Sequence, residues 1–129
     1  MPKMSKDSVA AIDHGPVLDW HAEMEGYTVD IVQFKHDMDH GPLLRGLPDD
    51  RCQCPHWGYI LSGHVTMRYA DHEETYTAGD AFYAPPGHVP VSNEPGTEYL
   101  QFSPTDALAE TNAVIMQNLA AMQPGGAPA

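Results

Sequence analysis

The 129-residue chain has only two cysteines, and they lie one residue apart, at positions 52 and 54. A bridge between them would close a tiny ring outside the narrow geometry that disulfides accept. A secreted disulfide scaffold is therefore excluded, and free thiols or metal ligands in a reducing compartment are expected. Basic residues are equally scarce. Six Lys and Arg face 18 Asp and Glu, for a formal charge of −12. That balance argues against nucleic acid or an anionic membrane as partner, since both call for a basic patch. No stretch approaches the ~20 apolar residues of a membrane helix. The first 16 residues contain two lysines but no apolar run of signal-peptide length. A cytoplasmic protein with a small-molecule ligand is the expectation, and the length fits one domain with its own core.

What the chain does have is a long series of strand signals. Residues 1–16 are polar and punctuated, and read as a loose arm. Residues 17–20 suggest a short strand, and residues 27–34 a stronger one, rich in β-branched and aromatic side chains. Residues 35–50 show no period, and their His36, Asp37, Asp39 and His40 fit a solvated acidic loop. His40 is worth keeping in view, because that loop can fold over the mouth of a barrel. From residue 56 onward, apolar runs alternate with turns at Gly63, Ala70-Asp71-His72-Glu73, Gly79-Asp80, Pro85-Pro86-Gly87 and residues 93–96. Strands of this length and spacing indicate a sandwich or barrel. After residue 103 the pattern changes. Ser103 reads as an N-cap, Pro104 as the first turn, and Leu108, Ile115, Leu119 and Met122 recur at helical spacing. The organisation expected is an arm at 1–16, a β-barrel at 17–103, a helix at 104–122 and a Pro/Gly/Ala tail at 123–129.

Chemistry is concentrated between residues 46 and 88. Cys52, Cys54 and His56 fall at every second position, so on an extended chain they share a face. His88 follows the Pro-Pro-Gly turn as a fourth candidate. Two thiols and two imidazoles suit a transition metal, zinc first, with iron or copper as alternatives. The competing explanation for the cysteines is a pair of small buried core residues. Tyr59, Arg68 and Tyr83 are the strand residues nominated for substrate contacts. Trp57, Met67 and Phe82 read equally well as core.

The glycine spacing resembles the cupin family of small double-stranded β-helix, or jelly-roll, barrels. That family's first motif is Gly, five residues, His-x-His, three or four residues, Glu, six residues, Gly. Gly46, five residues and Cys52-x-Cys54 match its start; His56, six residues and Gly63 match its end, with His56 at the Glu position. Counting back from Gly63 instead puts Asp50 and Cys52 at the His-x-His positions. The second motif is matched by Gly79, five residues and Pro85-Pro86-Gly87. Its histidine position holds Pro90, and His88 lies two residues earlier, on the same face of an extended chain. The resemblance spans about residues 27–103. It implies an all-β jelly-roll barrel, here with one C-terminal α-helix, and a metal held inside it.

Two function classes remain open at this point. One is a metalloenzyme acting on a small molecule, which needs an open coordination position. The other is a non-catalytic cupin with a closed structural zinc site that binds or senses a ligand. Edge strands and the C-terminal helix make a homodimer the expected assembly.

Overall fold

A computed structural model describes residues 3–122. The expected tail at 123–129 lies outside the described residues. Among these there are nine strands, two short 3-10 turns and one α-helix. In chain order the strands are β1 (Ile12–Asp13), β2 (Val17–Met24), β3 (Tyr27–Phe34), β4 (His56–Ser62), β5 (His64–Arg68), β6 (Glu73–Thr77), β7 (Ala81–Ala84), β8 (Val89–Asn93) and β9 (Glu98–Pro104). The 3-10 turns at Gly41–Leu44 and Pro48–Asp50 separate β3 from β4, and the helix α1 spans Thr105–Met122.

The strands form two antiparallel sheets, one of six strands in the order β1-β2-β3-β9-β4-β7 and one of three in the order β6-β5-β8. The jelly-roll architecture expected from the sequence is thus present, with its single C-terminal helix. The main core lies between the sheets. Val32, Phe34, Ile60, Phe82, Ala84 and Tyr99 of the larger sheet meet Val65, Met67 and Tyr76 of the smaller. Gly58 makes this possible at one point. A Cβ there would sit 2.3 Å from the Leu100 carbonyl and 2.5 Å from the Phe82 ring, so the aromatic side chain lies flat across β4 only because the position is bare. Gly63 turns β4 into β5 at φ +76°, where a side chain would collide with Thr97.

A second core ties the helix to the rest. Leu44, Cys52, Cys54, Val89 and Leu108 pack together, with Leu47, Val91 and Ile115 at their edge. Asn118 of α1 donates to the carbonyls of Leu43 and Arg45, at 2.7 and 3.0 Å, fixing the helix to the first 3-10 turn. The helix face differs from the expected one. Leu108, Thr111 and Leu119 are its buried residues, whereas Met122 is 53% exposed. Ser103 does not serve as an N-cap. It belongs to β9 and is fully buried, because its hydroxyl is engaged by a histidine described below. The segment read as a loose arm is tied to the sheet: Ile12 and Asp13 pair with β2, and Lys6 bonds Glu98 and lies over the Trp20 ring.

Candidate metal centre and cavity

His56 opens β4 and points inward, as do Gly58 and Ile60 behind it. Cys52 lies ahead of the strand on irregular backbone. It is held by a short antiparallel bridge to the segment after the Pro-Pro-Gly turn: Cys52 N–H donates to the His88 carbonyl at 3.0 Å, and Gly87 N–H donates to the Cys52 carbonyl at 2.8 Å. Main-chain bonds thus bring the two distant parts of the motif together, with Cys52 and His88 side by side. The donor atoms of Cys52, His56 and His88 all lie within 4.8 Å of one another, and all three residues are buried. Cys52 Sγ is 3.7 Å from His56 Nε2, and the two imidazole rings are 4.9 Å apart, centre to centre.

The surroundings of the two histidines prepare them as ligands. His88 Nδ1 is 2.7 Å from the Pro85 carbonyl, which can only accept. The proton therefore resides on Nδ1, and Nε2 keeps its lone pair. His56 Nδ1 is 2.7 Å from the Ser103 hydroxyl, which fixes the ring. Metal-bound histidines regularly carry such an outer partner on the second nitrogen. Burial, and the neighbouring His88, hold the His56 pKa down to about 3, and burial also depresses that of His88. Both imidazoles are neutral at pH 7, as a ligand must be. Burial pushes the Cys52 thiol up, partly offset by bonds to Cys54 and Thr111. Without a cation the sulfur stays protonated; a cation at this point would stabilise the thiolate. One sulfur and two neutral imidazoles, buried, converging and supported, fit a borderline-soft transition metal.

Cys54, the fourth expected ligand, is not in this group. The chain bends at Cys54 instead of running extended, so the alternation that would align it with Cys52 does not apply. Its sulfur lies 3.5 Å from the Pro55 carbonyl, and its pKa is pushed up to about 12, first by burial and then by Cys52. Cys54 packs as a core residue beside Leu44 and Val89. Asp50, the alternative first-motif position, is exposed and accepts a bond from Gly46 N–H.

The three donors open onto a cavity of about 240 Å³. Its walls come from both sheets, the first 3-10 turn and α1, with Val32, Phe34, Leu43, Met67, Leu108 and Leu119 supplying apolar surface. Tyr59, Arg68 and Tyr83 do not line it. Because His56 faces inward, parity along β4 turns Trp57 and Tyr59 outward, and Tyr83 opposes Trp57 from β7. Trp57, Tyr59 and Tyr83 are 43–48% exposed. Arg68 is exposed at the end of β5.

The cavity also contains further polar residues. His40, kept in view from the sequence, lies inside it on the loop that precedes the first 3-10 turn and packs on Phe34. Motif reading misses the acidic group on β2 and β3. Asp19 and His21 on β2 and Asp30 on β3 form a second close group, their donor atoms within 4.8 Å of each other. Strand register accounts for it: His21 pairs with Asp30, and Asp30 with Gln101 of β9, so one row crosses three strands. The sequence does carry a signal here, since Asp30 interrupts a β-branched strand in which aspartate is disfavoured.

No family model matches the chain, and no curated protein matches it in sequence. Solved structures do. KdgF from Halomonas sp. is similar over 81% of this chain and 94% of its own, with a TM-score of 0.55 and 17% identity. A protein of unknown function from Rhizobium leguminosarum bv. viciae is similar over 80% of this chain and 95% of its own, with a TM-score of 0.57 and 14% identity. The polyketide cyclase RemF from Streptomyces resistomycificus is similar over 81% of this chain and 79% of its own, with a TM-score of 0.56 and 14% identity. Likeness at this identity concerns the fold. The jelly roll, with the motif glycines 63, 79 and 87 all at positive-φ turns, agrees with the resemblance carried by the sequence. The chain has a cupin-like jelly-roll fold.

Proposed function

We propose that the protein is a metal-dependent cupin acting on a small molecule, with Cys52, His56 and His88 as metal ligands and zinc as the preferred ion ahead of iron or copper. The observation that carries this reading is the convergence of three buried donors on one wall of a cavity. A closed structural zinc site requires a fourth protein donor. Cys54 lies outside the group, which supports an open position and hence the enzymatic reading over a purely structural site. A bound ion supplies Lewis acidity, toward a carbonyl oxygen or a water molecule. The protein residues do the remaining work. The Pro85 carbonyl sets the tautomer and angle of His88, and Ser103 fixes the angle of His56. Leu108, Leu119 and Phe34 exclude bulk water and strengthen every polar interaction inside.

Metal analysis of the purified protein tests this directly. Wild type is expected to carry about one ion per chain, and Cys52→Ser and His88→Ala to lose it, while Cys54→Ser retains it. Unchanged metal content in Cys52→Ser would overturn the ligand set.

We propose further that a second copy of the chain covers the outer face of the large sheet. Tyr27, Trp57, Tyr59, Leu61, Tyr83 and Phe102 expose 41–48% of their surface there, and none is charged. At roughly 150–250 Å² per aromatic side chain, they present about 500 Å² of apolar area, so two such faces bury about 1,000 Å², the lower bound of a specific interface. In a chain of net charge −12, an uncharged patch is where two copies approach with least repulsion.

A further inference from the structure

The cavity has a second chemically distinct end, and it specifies what the first end acts on. Its distance from the metal ligands follows from the pleat and the strand spacing. Ser103, the partner of His56, and Gln101, the partner of Asp30, are successive inward positions on β9, one pleat or roughly 7 Å apart. His56 and Asp30 themselves lie on β4 and β3, which flank β9 on opposite sides about 10 Å apart, so their backbones are roughly 12 Å from each other. A molecule of a few heavy atoms can therefore occupy the Asp30 end without touching the three donors.

The polar groups at this end are mostly acceptors in want of a donor. Asp19 Oδ1 is buried and has no hydrogen-bond partner among the described residues. Asp30, 5% exposed, lies against the Asp19 carboxyl and accepts a long bond from Gln101 Nε2 at 3.4 Å. His40 is 7% exposed, lines the same cavity, and its Nε2 likewise has no partner among the described residues. Buried polar atoms are almost always paired, and each exception calls for an account. Two such atoms, on Asp19 and His40, in the lining of one cavity are accounted for by a ligand that completes them. The charge is equally one-sided. Among the described residues no Lys or Arg lines the cavity, and its acidic residues are Asp19 and Asp30. His40 cannot act as a cation at pH 7, since burial holds it near 4. The two remaining ring systems at this end, His14 and His21, face Asp19 Oδ2 at 3.9 and 3.0 Å. An anionic group placed here would meet carboxylates without a counter-charge.

We infer that the cavity takes an uncharged or cationic small molecule bearing hydroxyl or amino donors, and that Asp19, Asp30 and His40 are its recognition residues. This deepens the metal-dependent reading above and rests on it for the reaction, though recognition at this end does not require the metal. Asp30, pushed up to about 8 by burial and by Asp19, carries a proton in the free protein and can release it when a cation arrives. Asp19 Oδ1, buried and without a partner among the described residues, supplies an acceptor.

The test uses NMR titration of the whole chain with three probes of matched length: 4-aminobutan-1-ol, erythritol and glutarate. Saturable shifts of the amides around residues 19, 30 and 40 are expected with 4-aminobutan-1-ol or erythritol and not with glutarate. Asp30→Asn, of nearly the same shape, and the more accessible Asp19→Asn are each expected to weaken the binding about tenfold, the effect of one lost buried hydrogen bond. The same titration in Cys52→Ser separates the two readings: recognition persists there even if the metal reading fails. Three results overturn the inference. One is glutarate binding at these residues as tightly as the amino alcohol. Another is the absence of saturable binding of both donor-bearing probes. The third is Mn²⁺ broadening centred on residues 19–30 in Cys52→Ser that blocks the amino alcohol, which would make the group a second cation site.

Discussion

Where β4 and β9 meet at the metal end, the two faces of the large sheet invert the usual arrangement, although Ile60, Phe82 and Tyr99 further along the inner face are apolar. Consecutive residues of β4 and β9 show it: His56 faces in and Trp57 out, Gln101 and Ser103 face in and Phe102 out. The inward set is polar and paired, whereas the outward set is aromatic and half-exposed. A half-buried antiparallel sheet ordinarily turns apolar residues inward and polar ones to solvent. Here the polarity inside is where the chemistry is, and the aromatic surface outside is where a partner is proposed. The contrast shows that burial and polarity must be read separately before a face is assigned a role.

The sharpest break between the faces is expected in stability. Ile60 is fully buried and Tyr59, its neighbour on β4, is 44% exposed. Ile60→Ala should cost about 2–5 kcal/mol through lost packing and a cavity. Tyr59→Ala should cost no more than about 1 kcal/mol in the monomer. Denaturant midpoints of the two variants check this. Next is Ser103→Ala, which strips His56 Nδ1 of its partner while leaving all three donors in place. Metal affinity should fall about 10–100-fold, as for other outer-shell bonds to metal-bound histidine. A competition titration with a chromogenic chelator reads this change.

On the outer face, Trp57→Lys places a charge within the stacked pair that Trp57 forms with Tyr83 at 5.1 Å. Sedimentation velocity should show wild type as a dimer and this variant as a monomer, with metal content unchanged. A monomeric wild type would remove the partner from the comparison. The smallest effect concerns pH. The folded Asp30 pKa is raised to about 8, against an ordinary value near 4. The folded protein therefore keeps a proton that the unfolded chain releases, and Asp30 favours folding at low pH. That contribution is lost as pH rises from about 4 to 8, by at most about 1.4 kcal/mol per unit. His40 and His56, whose folded pKa values are depressed, act in the opposite sense, but equally in wild type and in Asp30→Asn. In metal-depleted protein between about pH 4 and 8 (a range set by those two Asp30 values), the stability of wild type relative to Asp30→Asn should therefore decline steadily. A difference that stays flat would remove the raised carboxyl from the inner face.

The jelly roll is legible in the sequence because strand composition, turn residues and the glycine spacings all point one way. The convergence of His88 with Cys52 and His56 is legible from the same spacings. The mismatch at Cys54 arises from treating residues 52–56 as extended, when β4 begins only at His56. Tyr59 and Tyr83 are nominated for their chemistry, although an inward His56 already fixes Tyr59 on the opposite side. Asp19 and His21 meet Asp30 only through strand register, which one sequence does not reveal. Ser103 carries two compatible signals, a cap and a strand residue, and only the inward pull of His56 decides between them.

The main-chain bridge from Cys52 to Gly87 and His88 has one more consequence. Two of the three donors are stapled by bonds that owe nothing to an ion. Zinc fingers fold only when loaded, because their ligands have no other reason to meet. Here the coordination sphere is preorganised, so chelation should strip the metal without unravelling the barrel, and the empty scaffold should reload.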